Sequence, residues 1–163
     1  HRILPDIQVI YFEDFKDLTL HYWKNYLRHL SRHIVLSSKY WYESRNVGGG
    51  ATPIETNKGW LLIYHAVEDS NDGRVYRASA ALLDKKNPLK LIGRLKEPLF
   101  SPEEKWEKKG DVNNVVFPTG TAIFGKNLYI YYGAADTRIA VASVNLNELL
   151  SELLSKRAST LKF

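Results

Sequence analysis

The sequence predicts an all-β fold: part of a β-propeller, about two to three blades, with a helical insertion near residues 17–33 and a helix near the C-terminal end. Three observations carry this. Short β-branched and aromatic runs, separated by turn residues, recur at roughly 8–12-residue spacing, which suits a sandwich, a barrel or a propeller. The segment ETNKGWLLIYHAVED, Glu55 to Asp69, aligns without a gap with AIFGKNLYIYYGAAD, Ala122 to Asp136, 67 positions later. A strand–turn–strand–loop–strand unit repeated at that distance selects the propeller. Finally, a four-stranded blade takes about 40–50 residues and a closed ring needs at least four blades. The 163 residues therefore hold two blades and part of a third.

The elements run in chain order. Ile7 to Phe12 reads IQVIYF, a strand pattern. From Asp17 to Arg32, the positions Leu20, Trp23, Leu27 and Leu30 form a stripe expected to pack inward from a helix. His29 and His33 lie one helical turn apart, but no HExxH motif or neighbouring carboxylate accompanies them, and no metal site is expected. The β pattern resumes at HIVLSS and continues through GATPIET, a turn at Asn57-Lys58-Gly59, and WLLIYHAVE. A loop from Asp69 to Gly73 leads into RVYRASAALLD, and a turn at Asn87-Pro88 leads into LKLIGRL. KWEKK, Lys105 to Lys109, reads as a solvated surface segment. At the end, Asn145 and Glu148 have the placement of a capping box, with Leu149, Leu150, Leu153 and Leu154 as the buried stripe.

Composition narrows the function classes. The chain is 44% hydrophobic and 25% charged, an ordinary globular balance. No apolar run approaches the roughly 18–20 residues of a membrane span, so no membrane partner is expected. The net charge of +5, from 23 basic and 18 acidic residues, is spread along the chain, and no nucleic-acid partner is expected. Attraction for an anionic small molecule stays open. The absence of cysteine excludes disulfides, thiolate nucleophiles and cysteine-held metals. Together with HRILPDIQ, which lacks the pattern of an export signal, it points to a cytoplasmic location.

Several residues invite a functional reading. Alternation along IYHAVE puts His65 on one strand face with Leu61 and Ile63, where an imidazole is either a satisfied core group or an oxyanion donor. Tyr76 offers a phenolic donor or a core ring. Arg45 and Asn46 precede Val47-Gly48-Gly49-Gly50, whose glycines suit a flexible turn or a backbone cradle for an anion. Phe117 has the flat face that stacks on a pyranose, and Asp136 the carboxylate that accepts sugar hydroxyls; a core ring and a turn cap are the alternatives. Asp69, opposite Asp136 in the aligned repeat, serves as a control for the turn-cap alternative.

The series YESRNVGGGATPIETNKGWLLIYHAVED, YRASAALLDKKNPLKLIGR, DVNNVVFPTGTAI and YIYYGAADTRIAVASV resembles glycoside hydrolase family 130, from Ile7 to Leu154. The resemblance implies a five-bladed propeller that cleaves β-mannosides, mostly by phosphorolysis. It implies phosphate contacts from His65 and Tyr76, and from Asn46 at a family lysine position or the adjacent Arg45. Phe117 and Asp136 fall at sugar-binding positions. The match is to the C-terminal half of the family, so residues 1–163 are expected to be the C-terminal portion of one propeller catalytic domain. The catalytic acid, an aspartate, is expected in the N-terminal half, leaving this chain alone inactive. The expected partners are a manno-oligosaccharide or mannosyl glycoside, that N-terminal half, and a homo-oligomeric copy. No cofactor is expected, and inorganic phosphate is the co-substrate. The competing readings are a β-mannoside hydrolase and a non-catalytic carbohydrate-binding half-propeller.

Overall fold

Three antiparallel sheets succeed one another along the chain, each spliced to the next by a short helical turn. The structure, a computed structural model, describes residues 2–155; residues 1 and 156–163, part of the expected domain span, lie outside the described residues. The first sheet contains β1 (Arg2–Ile3), β2 (Asp6–Gln8) and β3 (Ile34–Leu36), in that order. The second contains β4 (Asn46–Gly49), β5 (Ile54–Thr56), β6 (Gly59–Ser70), β7 (Gly73–Leu83) and β8 (Leu91–Arg94). Its order is β4-β6-β7-β8, and β4 and β5 pair with successive stretches of β6, so together they make one interrupted inner strand. The third sheet is β9 (Val116–Phe124), β10 (Asn127–Ala134) and β11 (Arg138–Asn145). These are the sheets of a partial propeller.

The cores lie between the sheets. Ile7 and Leu36 pack against Val47, Leu62, Tyr64 and Ala66, which cover one face of the second sheet. From its other face Leu61, Ile63, Ala80 and Leu82 meet Leu128 and Ile130 of the third. Each fully buried aliphatic side chain contributes about 1.5–3 kcal/mol, so the two seams hold the sheets face to face. Helix α3 (Leu146–Leu154) adds Leu149, Leu150 and Leu153 to the second seam, while Leu154 is 43% exposed. Its cap is Asn145, whose Oδ1 accepts from the backbone of Asn147 and Glu148.

Three expectations change. The insertion is a helix, α1 (Leu20–Arg28), flanked by two 3-10 turns, but its inward residue is Tyr26. Leu20 and Leu27 of the expected stripe are exposed, whereas Tyr26 is buried, Trp23 is half-buried and the Tyr22 hydroxyl ties the helix to Tyr11 O. IQVIYF is strand only at its start; β2 ends at Gln8, whose side chain folds back to bond Ile3. The repeat also has a different register. Thr56 pairs with Gly59 at one hairpin and Phe124 with Asn127 at the other, so equivalent positions are 68 apart. A slip of one residue moves every side chain to the opposite face. Tyr64 therefore corresponds to Tyr132, and Asp69 is not the structural counterpart of Asp136.

Candidate functional site

The second sheet gathers polar groups on the face opposite its tyrosine-rich core. Directly paired residues of antiparallel strands point to the same side. Asn46, Val67 and Tyr76 form one such row across β4, β6 and β7, and Gly48, His65 and Ala78 form the next. Asn46, His65 and Tyr76 thus share one face within two adjacent rows. Asn46 is 5% exposed and its Nδ2 is buried with no acceptor among the described residues. An amide donor left so costs about 1–3 kcal/mol, which makes the position suited to an incoming acceptor.

Phe117, on β9, closes this group from the next sheet. Its ring stacks on the His65 imidazole at 4.3 Å between centroids and lies 6.3 Å from the Tyr76 ring. The Phe117 ring is a wall common to two spaces. On one side is a cleft of about 770 Å³ reached by His65, Gly49, Gly50, Pro53 and Trp60. On the other is a hollow of about 290 Å³ lined by Tyr76, Val112, Val115 and Asp136. Asp136 is delivered there by a tight turn in which Ala135 and Asp136 both take left-handed backbone, φ 47° and 54°. Such residues are strained by roughly 1–3 kcal/mol each and persist where surroundings enforce them. Here the Ala135 N–H donates to Val115 O and its carbonyl accepts from Val112.

Arg45 stands apart from this group. Its guanidinium bonds both carboxylate oxygens of Asp69, at 3.2 and 3.1 Å. Asp69 is therefore an ion-pair partner on a strand, not a turn cap, and Asp136 sits in the turn itself. The run Gly48 to Gly50 forms no open anion cradle. Gly49 is the last residue of β4, and Gly50 donates its N–H to Ile63 O. A Cβ on Gly50 would lie 2.8 Å from that carbonyl and 3.1 Å from Pro118, so glycine is needed for close approach of two sheets.

Over residues 10–155 the chain matches the glycoside hydrolase family 130 pattern, described as beta-1,4-mannooligosaccharide phosphorylase. The chain belongs to glycoside hydrolase family 130. It is 42% identical over 149 residues to a 1,2-beta-oligomannan phosphorylase of Thermoanaerobacter sp., covering 91% of this chain and 46% of that protein. It is 40% identical over 126 residues to a beta-1,4-mannooligosaccharide phosphorylase of Ruminococcus albus, covering 76% and 37%. Among solved structures, the beta-1,2-mannobiose phosphorylase of Listeria innocua in complex with beta-1,2-mannobiose superposes with a TM-score of 0.68 at 37% identity, over 74% of this chain and 34% of that one. The family-130 chain thus spans less than half the length of each of these proteins.

Other groups of this family-130 chain were not legible in its sequence. KWEKK is not wholly solvated: Lys105–Lys108 form a short helix, α2, and its Glu107 is 4% exposed. Glu107 accepts from the Tyr132 hydroxyl at 2.7 Å and from the backbone of Glu103 and Glu104. Behind the site, Glu43 is fully buried against Arg94 and Tyr64. The one available signal was an acidic residue three positions after a helix start, as in a capping box. His29 Nδ1 lies 3.0 Å from Asn25 O, and the His33 ring packs on Tyr26. Among the described residues no group of three or more His, Asp or Glu could hold a metal ion, and none of the helices is long and apolar enough to cross a membrane.

Proposed function

We propose that this chain supplies phosphate and sugar contacts to an inverting β-mannoside phosphorylase, as the C-terminal portion of its propeller. The observation that carries this reading is the buried Asn46 amide without an acceptor, one row from His65 on the same sheet face. An amide and an imidazole there offer two donors to one oxyanion. Tyr76 adds a phenol on the same face, and Phe117 and Asp136 offer a stacking surface and a hydroxyl acceptor to the sugar. In the reaction, an acid from outside this set protonates the glycosidic oxygen as its bond to the anomeric carbon breaks. A phosphate oxygen attacks that carbon from the opposite side, giving mannose 1-phosphate with inverted configuration. A cytoplasmic location, on the cysteine-free composition, belongs to the same reading.

A second reading has an observation of its own. Among the described residues lining the cleft none is Lys or Arg, and Arg45 is engaged by Asp69. A site with no cation at hand suits water as the nucleophile, which gives hydrolysis. The complete enzyme containing this chain separates the two when offered β-1,2- and β-1,4-mannobiose with and without inorganic phosphate. Phosphate-dependent release of mannose 1-phosphate is the expected result; free mannose alone overturns phosphorolysis.

Substitution then assigns the two halves of the site. Losing a charge-assisted bond to a phosphate oxygen costs about 1.5–3 kcal/mol, a roughly ten- to hundred-fold loss of affinity. His65→Ala should therefore raise KM for phosphate by that factor and spare the sugar, while Asp136→Ala should do the reverse. Steady-state kinetics with each substrate varied separately reads this. Equal shifts in both constants would remove the division of labour.

A further inference from the structure

The buried Glu107–Tyr132 pair has a twin one blade earlier. Glu43 Oε1 accepts from the Tyr64 hydroxyl at 2.8 Å, and its Oε2 from the backbone N–H groups of Lys39 and Tyr40, at 2.8 and 2.9 Å. Glu107 repeats these three bonds, with Tyr132 on Oε1 and the N–H groups of Glu103 and Glu104 on Oε2. The ion pair that Glu43 Oε1 also makes with Arg94 is not repeated among the described residues. Tyr64 and Tyr132 are equivalent by the hairpin register. In both cases the glutamate is the third residue of a short helix that precedes an inner strand, and the tyrosine belongs to the strand beside it.

Each glutamate is joined to the site by backbone bonds. The Glu107 carbonyl accepts from Val115 N–H; the Val115 carbonyl accepts from Ala135, next to Asp136; and the Asn114 carbonyl accepts from Tyr76 N–H at 2.9 Å. Phe117 is two residues further along the same segment. Just after Glu43, the Arg45 N–H donates to Val67 O, which sets Asn46 opposite Val67. The two tyrosines therefore lock two different halves of the site.

We propose that Tyr132 and Glu107 are positioning residues for the sugar-side groups Phe117 and Asp136, and that Tyr64 and Glu43 position Asn46 on the phosphate side. The assignment of sides rests on the function proposed above; the positioning itself does not. Neither pair touches the cleft, so each acts through backbone bonds.

Tyr132→Phe removes one hydroxyl and keeps the ring packed on Phe100. In the complete enzyme it should raise KM for the mannoside about tenfold, the equivalent of one lost bond to a charged group, with KM for phosphate nearly unchanged. Tyr64→Phe should give the opposite split, and Glu107→Gln the same pattern as Tyr132→Phe. Parallel changes in both constants, or none, overturn the assignment. A second readout does not depend on activity. Amide hydrogen exchange at Tyr76, Val115 and Ala135 should quicken at least about tenfold in Tyr132→Phe, while the Val47 amide, bonded to Pro5 O, keeps its rate. Unchanged exchange at those three amides sinks the positioning role even in an active enzyme. An unsubstituted enzyme that releases no mannose 1-phosphate sinks only the proposed function.

Discussion

Burial is complete at Tyr42, whose hydroxyl donates to Leu95 O and lies 3.0 Å from Ser79 Oγ. Burial pushes its pKa from the ordinary 10 up to about 12. Because folding favours the neutral phenol, this group contributes about 2–3 kcal/mol that is fully present below pH 10 and is lost as pH climbs through 12. Burial raises Tyr64 and Tyr132 as well, with the Glu107 carboxylate adding to the effect at Tyr132. Denaturant midpoints should therefore fall steeply between pH 10 and 12, and Tyr42→Phe should flatten that fall without abolishing it. A midpoint constant across the interval would mean these phenols ionise in place. None of this was legible in the sequence. A tyrosine in a β run reads alike whether its hydroxyl meets water or Glu43, since the partner lies 21 residues away and only the register brings them together. His65, Tyr76, Phe117 and Asp136 could be singled out as candidates, because each stands inside a long motif that resembles the family.

At the level of elements, most strands, the turns and both long helices could be read from alternation and helical spacing, and so could the faces of His65 and of α3. The matching of faces between the repeats and the buried side of α1 could not. A gapless repeat aligned similar letters but hid the one-residue offset that sets which side of each strand is buried. Likewise α1 has a regular apolar stripe, yet Leu20 stays 71% exposed, because spacing says how a helix is striped and not what it meets. Helix α3 gives a sharper test. A Cβ on Gly93 of β8 would sit 1.8 Å from Leu153 O, so the strand and the helix backbone touch directly. Gly93→Ala should lever the helix off its seam and cost several kcal/mol, of the order of losing a buried leucine. Asn145→Ala removes only the cap, about 1 kcal/mol. Thermal melts of the two variants should rank in that order; the reverse order would show that α3 is held by its cap rather than its packing.

For the molecule as a whole, the outer face of the third sheet decides behaviour. Tyr131 pairs with Val141 and Gly133 with Ile139, and on that face Phe124, Ile139 and Val141 are 65%, 83% and 50% exposed. A patch of this kind marks an interface or an aggregation liability. This chain on its own should self-associate in sedimentation velocity, and Ile139→Lys with Val141→Lys should shift it towards monomer; a monodisperse unsubstituted monomer would contradict that. The paired glutamate–tyrosine bonds bear on how such a chain is assembled in time. Each closes over only 21 or 25 residues of chain, so each blade owns a local fastening that needs no neighbour. Rates of folding rise as contacts become more local. Blades so fastened can form one after another during synthesis, leaving the docking of finished faces as the slower step.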